Sequence, residues 1–211
     1  MFKITDIKPQ KRDPQRINIY LDGEFDFGVA RAVAPWLQIG KEISRDKIKE
    51  LQAQDEAEKA YQRALYYLSF RERSEEEVCH NLRGHDVPDA AIEKVLERLR
   101  RNTLISDKRF AEKWVENRSA FHPRSRRALA VELGQKGISS SIIDEVLAKV
   151  DDHEMAYNLA QKKYRRVQGL EWPEFRKKLN GYLSRRGFSY GITAEVTRQI
   201  WDELEKIQTE K

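Results

Sequence analysis

Residues 129–150 read LAVELGQKGISSSIIDEVLAKV, and the spacing of their apolar side chains decides the fold. Leu129 and Leu133 are one helical turn apart, and Ile138 opens a second series that continues at intervals of four through Ile142, Val146 and Val150. This spacing predicts two amphipathic helices. Gly137 stands between them, where a glycine can adopt the left-handed conformation that ends a helix.

The same spacing occurs three times along the chain. The gaps between apolar positions are four, five, four, four and four residues in each copy, and the copies are offset by 51 and 50 residues. A shared register of this length indicates an internal repeat. Gly187 matches Gly137, but Asp86 takes that place in the first copy, so we expect its turn to be built differently. The other two copies are Val78, Leu82, Val87, Ala91, Val95, Leu99 and Leu179, Leu183, Phe188, Ile192, Val196, Ile200.

Another apolar helical segment precedes each pair of helices, which makes three helices per repeat. We expect Ser74 and Glu77 to form a capping box, and Ser106 or Asp107 to cap a later helix. The predicted fold is mainly α: three tandem three-helix repeats that stack into an elongated curved body. The predicted boundaries are 56–105, 106–153 and 154–211, after an N-terminal element over 1–55.

The N-terminal element has the two-residue period of β-strands. Alternating apolar residues flank Asp22-Gly23, a pair typical of a tight hairpin turn. Bringing the six apolar residues onto one face requires a bulge or a third loop residue. We expect a small β-hairpin element, followed by a short helix from about Ser44 to Leu51. The six residues are Ile17, Ile19, Leu21, Phe25, Phe27 and Val29.

Composition excludes several classes of protein. The longest uncharged apolar stretch, residues 32–40, is too short to cross a bilayer, which takes about 20 residues. The first residues lack the long apolar run of a secretory signal. Cys79 has no second cysteine with which to form a disulfide, which agrees with a reducing compartment. We therefore expect a cytoplasmic protein with no membrane partner, and a monomer.

No catalytic constellation stands out in the sequence. It contains neither a phosphate-binding glycine loop nor a dinucleotide fingerprint. Cys79, His80 and His85 do not have the spacing of a tetrahedral metal site. We expect no catalytic residue, no metal and no cofactor, and therefore a protein that is not an enzyme.

The positive charge is concentrated in one part of the chain. Forty Lys and Arg residues against 35 Asp and Glu give a net charge of +5. The segment from residue 162 to residue 186 contains nine basic residues and only two acidic ones. A second cluster, Arg124, Arg126 and Arg127, lies at a helix start, where the helix dipole disfavours cations. Such placement points to an anionic partner, and the alternative is a solvated basic face.

The chain resembles the RecX family of bacterial recombinase regulators. The resemblance rests on residues 65–78 (LYYLSFRERSEEEV), 104–114 (LISDKRFAEKW) with Arg118, 132–138 (ELGQKGI), 179–183 and 185–188, and on the hairpin at 18–23. His122-Pro123 departs from the family, where a glycine-containing turn is usual.

The resemblance implies a non-enzymatic modulator of the RecA recombinase that contacts the RecA–single-stranded DNA filament and inhibits recombination, ATP hydrolysis and the co-protease activity of the SOS response. Arg71, Arg73, Asp107 and Arg118 match the family motifs, and we favour structural roles for these four. The expected filament or DNA contacts are Arg124, Arg126, Arg127, Lys136, Lys162, Lys163, Arg165, Arg166, Arg176, Lys177, Arg185 and Arg186.

Two other functions agree with the same residues. The chain could be an autonomous nucleic-acid-binding module, or a helical-repeat scaffold for another acidic protein. Aromatic residues among the charges, such as Trp114 and Trp172, could stack on bases. At helical spacing they belong more often to a core.

Overall fold

The computed structural model describes residues 1–165, 167 and 169–209, without the side chains of 206–209. Over these residues the chain forms two compact units, Met1–Ile105 and Ser106–Lys211. Four strands open the first unit: β1 Phe2–Pro9, β2 Arg16–Leu21, β3 Glu24–Ala30 and β4 Glu42–Ile43. Three helices complete it: α1 Arg45–Leu68, α2 Glu75–Arg83 and α3 Asp89–Arg101. The second unit has six: α4 Asp107–Phe121, α5 Arg126–Gln135, α6 Ser140–Leu147, α7 Asp152–Tyr164, α8 Trp172–Ser184 and α9 Tyr190–Thr209.

The N-terminal element is an antiparallel sheet in the order β3-β2-β1-β4. Its hairpin turns at Asp22 and Gly23, both with positive φ, and the β2–β3 register shifts so that Phe25 pairs with Tyr20 and Phe27 with Ile19. Of the two alternatives, a bulge or a third loop residue, the bulge is present. Phe25 still does not share the face of the other five apolar residues, because the bulge follows it and leaves it on the face of Tyr20. Its side chain is 56% exposed.

The short helix predicted to end at Leu51 does not end there. Residues 45–68 form one continuous helix, α1, which crosses the predicted boundary after residue 55. Asp55 is buried in the middle of α1 and fastens the helix to the sheet. It accepts hydrogen bonds from the Arg16 guanidinium at 2.9 and 2.7 Å and from the Ala30 backbone N–H at 2.7 Å. A long-range ion pair of this kind leaves no mark in local sequence periodicity.

In the first repeat, α2 and α3 pack against the second half of α1. Ser74 and Glu77 form the predicted capping box at the start of α2. We expected the turn after α2 to be built differently from the turns of the later repeats, and this expectation is wrong. Asp86 adopts φ 58°, in the region that Gly137 and Gly187 occupy in the later repeats. In both of the first two repeats, the backbone N–H of the residue after the positive-φ position donates to a carbonyl of the helix over 3.2 Å, from Val87 to Leu82 and from Ile138 to Leu133.

The second unit contains the two remaining repeats, α4–α6 and α7–α9. Ser106, rather than Asp107, caps α4 by accepting from the Arg109 backbone N–H. Backbone contact joins the two repeats, since the Ser125 N–H donates to the Arg186 carbonyl over 3.1 Å. The predicted stripes form the two cores. The fully buried stripe positions are Leu129, Leu133 and Ile138 in one repeat and Leu179, Leu183, Phe188, Val196 and Ile200 in the other.

Candidate functional site: a basic groove in the third repeat

In the first unit, several arginines are paired with carboxylates. Arg98 lies 2.6 Å from Glu58, and Arg100 lies 2.5 Å from Glu75. The charges of these arginines are therefore neutralised within the fold. The pairing of basic residues is different in the third repeat.

The end of α7 and one face of α8 form a groove of about 480 Å³. Lys177 and Gly181 of α8 and its C-cap residue Arg185 follow one another at intervals of four residues, so they project on the same side of the helix. The side chain of Lys163 reaches the groove from α7. Gly181 has no side chain, which keeps the groove open between its basic walls. The remaining lining residues are Val167, Glu174, Lys178 and Tyr182.

Tyr182 lies between two cations at the groove. The Lys163 ammonium is 5.2 Å from the centre of its ring, and the Arg186 guanidinium is 5.6 Å from it. Both distances are within the range of a cation–π interaction. The half-buried ring therefore fixes the positions of two charges that would otherwise move freely on long side chains.

The cations of the groove lack acidic partners. Within the part of the chain that the structure describes, none of Lys163, Lys177, Lys178 and Arg185 has a carboxylate within 4 Å. Glu174 is the one carboxylate among the described residues that line the groove. Four cations against one anion in a concave surface produce a focused positive potential. Such a surface attracts phosphate or carboxylate groups from outside the molecule.

The other predicted contacts of the third repeat lie elsewhere. Lys162 and Arg165 line a separate cavity of about 700 Å³, which is bordered by Pro123 of the second repeat and Ile200 of α9. Arg176 is exposed on α8 but does not line the groove. Arg166 lies outside the described residues.

Two of the predicted contacts of the second repeat are exposed and two are half-buried. Arg126 and Arg127 are exposed in the first turn of α5, where the Arg126 backbone N–H donates to Asp152. Arg124 lies 3.5 Å from Glu132, and the Lys136 ammonium lies 5.5 Å from the centre of the Trp114 ring. The structure thus brings three of the twelve predicted residues, Lys163, Lys177 and Arg185, to one groove, and places a fourth, Arg186, beside the Tyr182 ring.

The four motif residues for which we favoured structural roles make contacts inside the fold. Arg71 pairs with Glu77 of the capping box over 2.9 Å, and Arg73 lies over the Tyr67 ring. Arg118 donates to Glu132 over 2.7 Å. Asp107 lies in the first turn of α4, where its charge suits the helix dipole.

The aromatic residues near the basic segment belong mainly to a core. Trp172, Phe175 and Trp201 contact one another with ring centres 5.1 to 6.4 Å apart, and Phe175 is fully buried. Phe175 is therefore not available for stacking on bases, and Trp172 and Trp201 are partly buried against the same core. Tyr182 was absent from our expected site, as was Lys178. The spacing of Lys178 and Tyr182 by one helical turn was the signal in the sequence that could have indicated both.

Profiles of four protein domains match this chain in order. They are the regulatory protein RecX N-terminal domain over residues 2–44 and the first, second and third RecX three-helix domains over 60–99, 106–147 and 151–197. Regulatory protein RecX of Bacillus pumilus is 30% identical over 213 residues, which cover 99% of this chain and 81% of the relative. The chain belongs to the RecX family. Regulatory protein RecX of Limosilactobacillus reuteri is 32% identical, over 97% of this chain and 77% of the relative.

Solved structures of the RecX family share the fold. The crystal structure of a regulatory protein RecX superposes with a TM-score of 0.75 at 33% identity, over 96% of this chain and all of the other. RecX from Lactobacillus salivarius superposes with a TM-score of 0.61 at 28% identity, over 69% of this chain and 96% of that one. The relatives are named as regulatory proteins. No helix among the described residues is both long and apolar enough to span a bilayer.

Proposed function

We propose that this RecX protein is a non-enzymatic regulator that binds the RecA–single-stranded DNA filament and inhibits its recombinase, ATPase and co-protease activities. It acts in the cytoplasm as a monomer and needs no cofactor. The third-repeat groove supplies its main electrostatic contact. The single observation that carries this proposal is the set of four groove cations without an acidic partner in the described chain.

The groove fits a polyanion for three physical reasons. Its concave wall focuses the field of Lys163, Lys177, Lys178 and Arg185 on one region. The arginine can form two parallel hydrogen bonds to a phosphate, while the lysines act as point charges. The half-buried Tyr182 restrains Lys163, so less side-chain entropy is lost when an anion binds.

A filament of RecA on single-stranded DNA offers such a polyanion in a repeating form. Exposed Arg126 and Arg127 on α5 add a second basic region in the same unit. A protein bound to both the DNA and the subunits of the filament would restrain the conformational changes of RecA that accompany ATP hydrolysis. Inhibition then follows from binding, without any reaction catalysed by the regulator.

The test is the ATPase activity of RecA on single-stranded DNA with a stoichiometric amount of this protein. The proposal predicts a clear decrease in ATP hydrolysis, which the variant Lys163→Gln/Lys177→Gln/Arg185→Gln should largely lose. An unchanged ATPase rate with the wild-type protein would show that the proposal is wrong. If the wild type inhibits and the triple variant inhibits equally, the groove is not the contact.

The second candidate is autonomous nucleic-acid binding, which the same groove favours. Binding to phosphates weakens steeply with salt, because counterions are released from the nucleic acid. Tight binding to bare single-stranded DNA, with no further gain when RecA is present, would favour this function over filament regulation. A scaffold for an acidic protein would bind neither form of DNA.

A further inference from the structure

A glycine lies inside helix α8 at the groove, although glycine is an unfavourable residue in a helix. Gly181 is an interior residue of the 13-residue helix α8. Its φ is not positive, so the backbone does not require a glycine at this position. In a helix interior only proline is less favourable than glycine, because glycine loses the most conformational freedom on folding. The helix would therefore be more stable with alanine at position 181.

The packing of the repeat does not require this glycine either. At the corresponding position repeat 1 has His80 and repeat 2 has Val131, and both side chains are exposed on their helices. Among the described residues, a Cβ atom at position 181 would meet one side-chain atom within 4 Å, Nη1 of Arg185 at 3.5 Å. This is an ordinary van der Waals contact, so the fold tolerates a side chain. The glycine therefore points to a role in contact with a partner.

The missing side chain opens the groove between two of its cations. Lys177 and Arg185 line the groove one helical turn before and one turn after Gly181. The Arg185 guanidinium reaches back to 3.5 Å from the place that a Cβ of residue 181 would occupy. We call this open space beside Gly181 the glycine gap. An anion in the glycine gap would contact the Arg185 guanidinium directly.

We propose that the glycine gap accommodates a phosphate of the single-stranded DNA in the filament, so that the strand itself lies against α8. This inference rests on the proposed function and names the ligand of the same groove. A phosphodiester belongs to the main chain of a nucleic acid, so it reaches the cations only if the neighbouring sugars also approach the helix. A glycine permits such a close approach. The Arg185 guanidinium can then donate two parallel hydrogen bonds to the phosphate oxygens.

A carboxylate of an acidic protein would not need the glycine gap. Asp and Glu carry the carboxylate at the end of a side chain, so it reaches exposed lysines such as Lys177 and Lys178 while its own main chain stays away from α8. An acidic protein would gain nothing from a glycine that makes the helix less stable. The glycine therefore favours a phosphodiester, and the four groove cations without an acidic partner in the described chain supply the complementary charge.

The test replaces Gly181 with alanine and with leucine, which fill the glycine gap to increasing extents and are both better helix formers than glycine. Gly134→Ala and Gly134→Leu are the matched controls. Gly134 lies in helix α5 of the same unit and outside the groove, and among the described residues no atom lies within 4 Å of its Cβ position. Binding is measured by fluorescence anisotropy at low salt with labelled oligothymidylate, and separately with a labelled poly-glutamate peptide.

The expected changes in stability and in DNA binding have opposite signs. Gly181→Ala should raise the melting temperature of the second unit by about 3 °C, yet bind oligothymidylate about threefold more weakly. Gly181→Leu should bind it about tenfold more weakly and lose a similar factor in affinity for the filament. Poly-glutamate binding should change by less than about twofold, and the Gly134 variants should keep the wild-type affinity for both probes. Misfolding cannot produce weaker binding together with a higher melting temperature.

Two results would overturn the inference while leaving the proposed function intact, provided that the wild type inhibits the RecA ATPase. In one, both Gly181 variants bind oligothymidylate as tightly as the wild type. In the other, Gly181→Leu loses affinity for poly-glutamate as much as for DNA, which would make the groove a general anion site. A wild type that binds oligothymidylate but neither binds nor inhibits the filament would overturn the proposed function, and with it the assignment of the strand to the filament.

Discussion

Removing two charges from the third-repeat groove should change the salt dependence of filament binding by a calculable amount. The groove holds four cations without acidic partners in the described chain, and each phosphate contact to single-stranded DNA contributes about −0.7 to the slope of log K against log salt. The groove's share of the slope is then about −2.8. In Lys177→Gln/Arg185→Gln the share should fall to about −1.4.

These slopes translate into a measurable difference in affinity. Between about 50 and 200 mM salt, the groove's share weakens wild-type binding about 50-fold, but that of the double variant only about sevenfold. Titration of labelled filaments at four or five salt concentrations gives both slopes. Lys108→Gln/Arg198→Gln is the matched control, since it removes two cations of the same unit that already pair with Glu145 and Asp202. Equal slopes for the wild type and the groove variant, or an equal change in the control, would refute the reasoning.

Two further predictions concern stability. Asp55→Asn should lower the free energy of unfolding by about 3 kcal/mol at neutral pH, because it leaves the Arg16 guanidinium without its buried partner. Burial favours a raised pKa for the Asp55 carboxyl, but hydrogen bonds from Arg16, Lys59 and the Ala30 N–H outweigh it and lower the pKa. The wild type should therefore lose this stability as the pH falls below about 3.9, and the variant should lose less, as denaturant titrations at several pH values would show. Gly187→Ala should lower the melting temperature of the second unit more than Gly169→Ala does. Both glycines have positive φ, but only at Gly187 would a Cβ lie 2.6 Å from the Ser125 hydroxyl.

Each stability prediction has a result that would contradict it. Parallel pH profiles for the wild type and Asp55→Asn would mean that the carboxyl is not ionised against Arg16. Equal losses in the two glycine variants would mean that the second and third repeats do not pack closely at Ser125.

The sequence was sufficient to predict the helices and the repeat, because both depend on local spacing. Stripes at intervals of four residues identify the buried face of a helix wherever it packs, and the three copies supported one another. The continuous α1 could not be predicted in this way. Its middle is held by the contact of Asp55 with Arg16, which are 39 residues apart.

The candidate site was predictable as a region but not as a surface. Counting charges located the basic segment, yet successive residues on a helix point about 100° apart. Lys162 and Lys163 are neighbours in sequence and line different cavities for this reason. Arg124 illustrates the same limit, since its proximity to Glu132 depends on how a connector meets a helix.

The most direct test of the central claim is co-sedimentation of this protein with RecA assembled on single-stranded DNA, with and without nucleotide. The account predicts that the protein pellets with the assembled filament, remains in solution with RecA alone, and is largely released by Lys163→Gln/Lys177→Gln/Arg185→Gln. Pelleting that is unchanged in this triple variant, or no pelleting of the wild type at moderate salt, would contradict it.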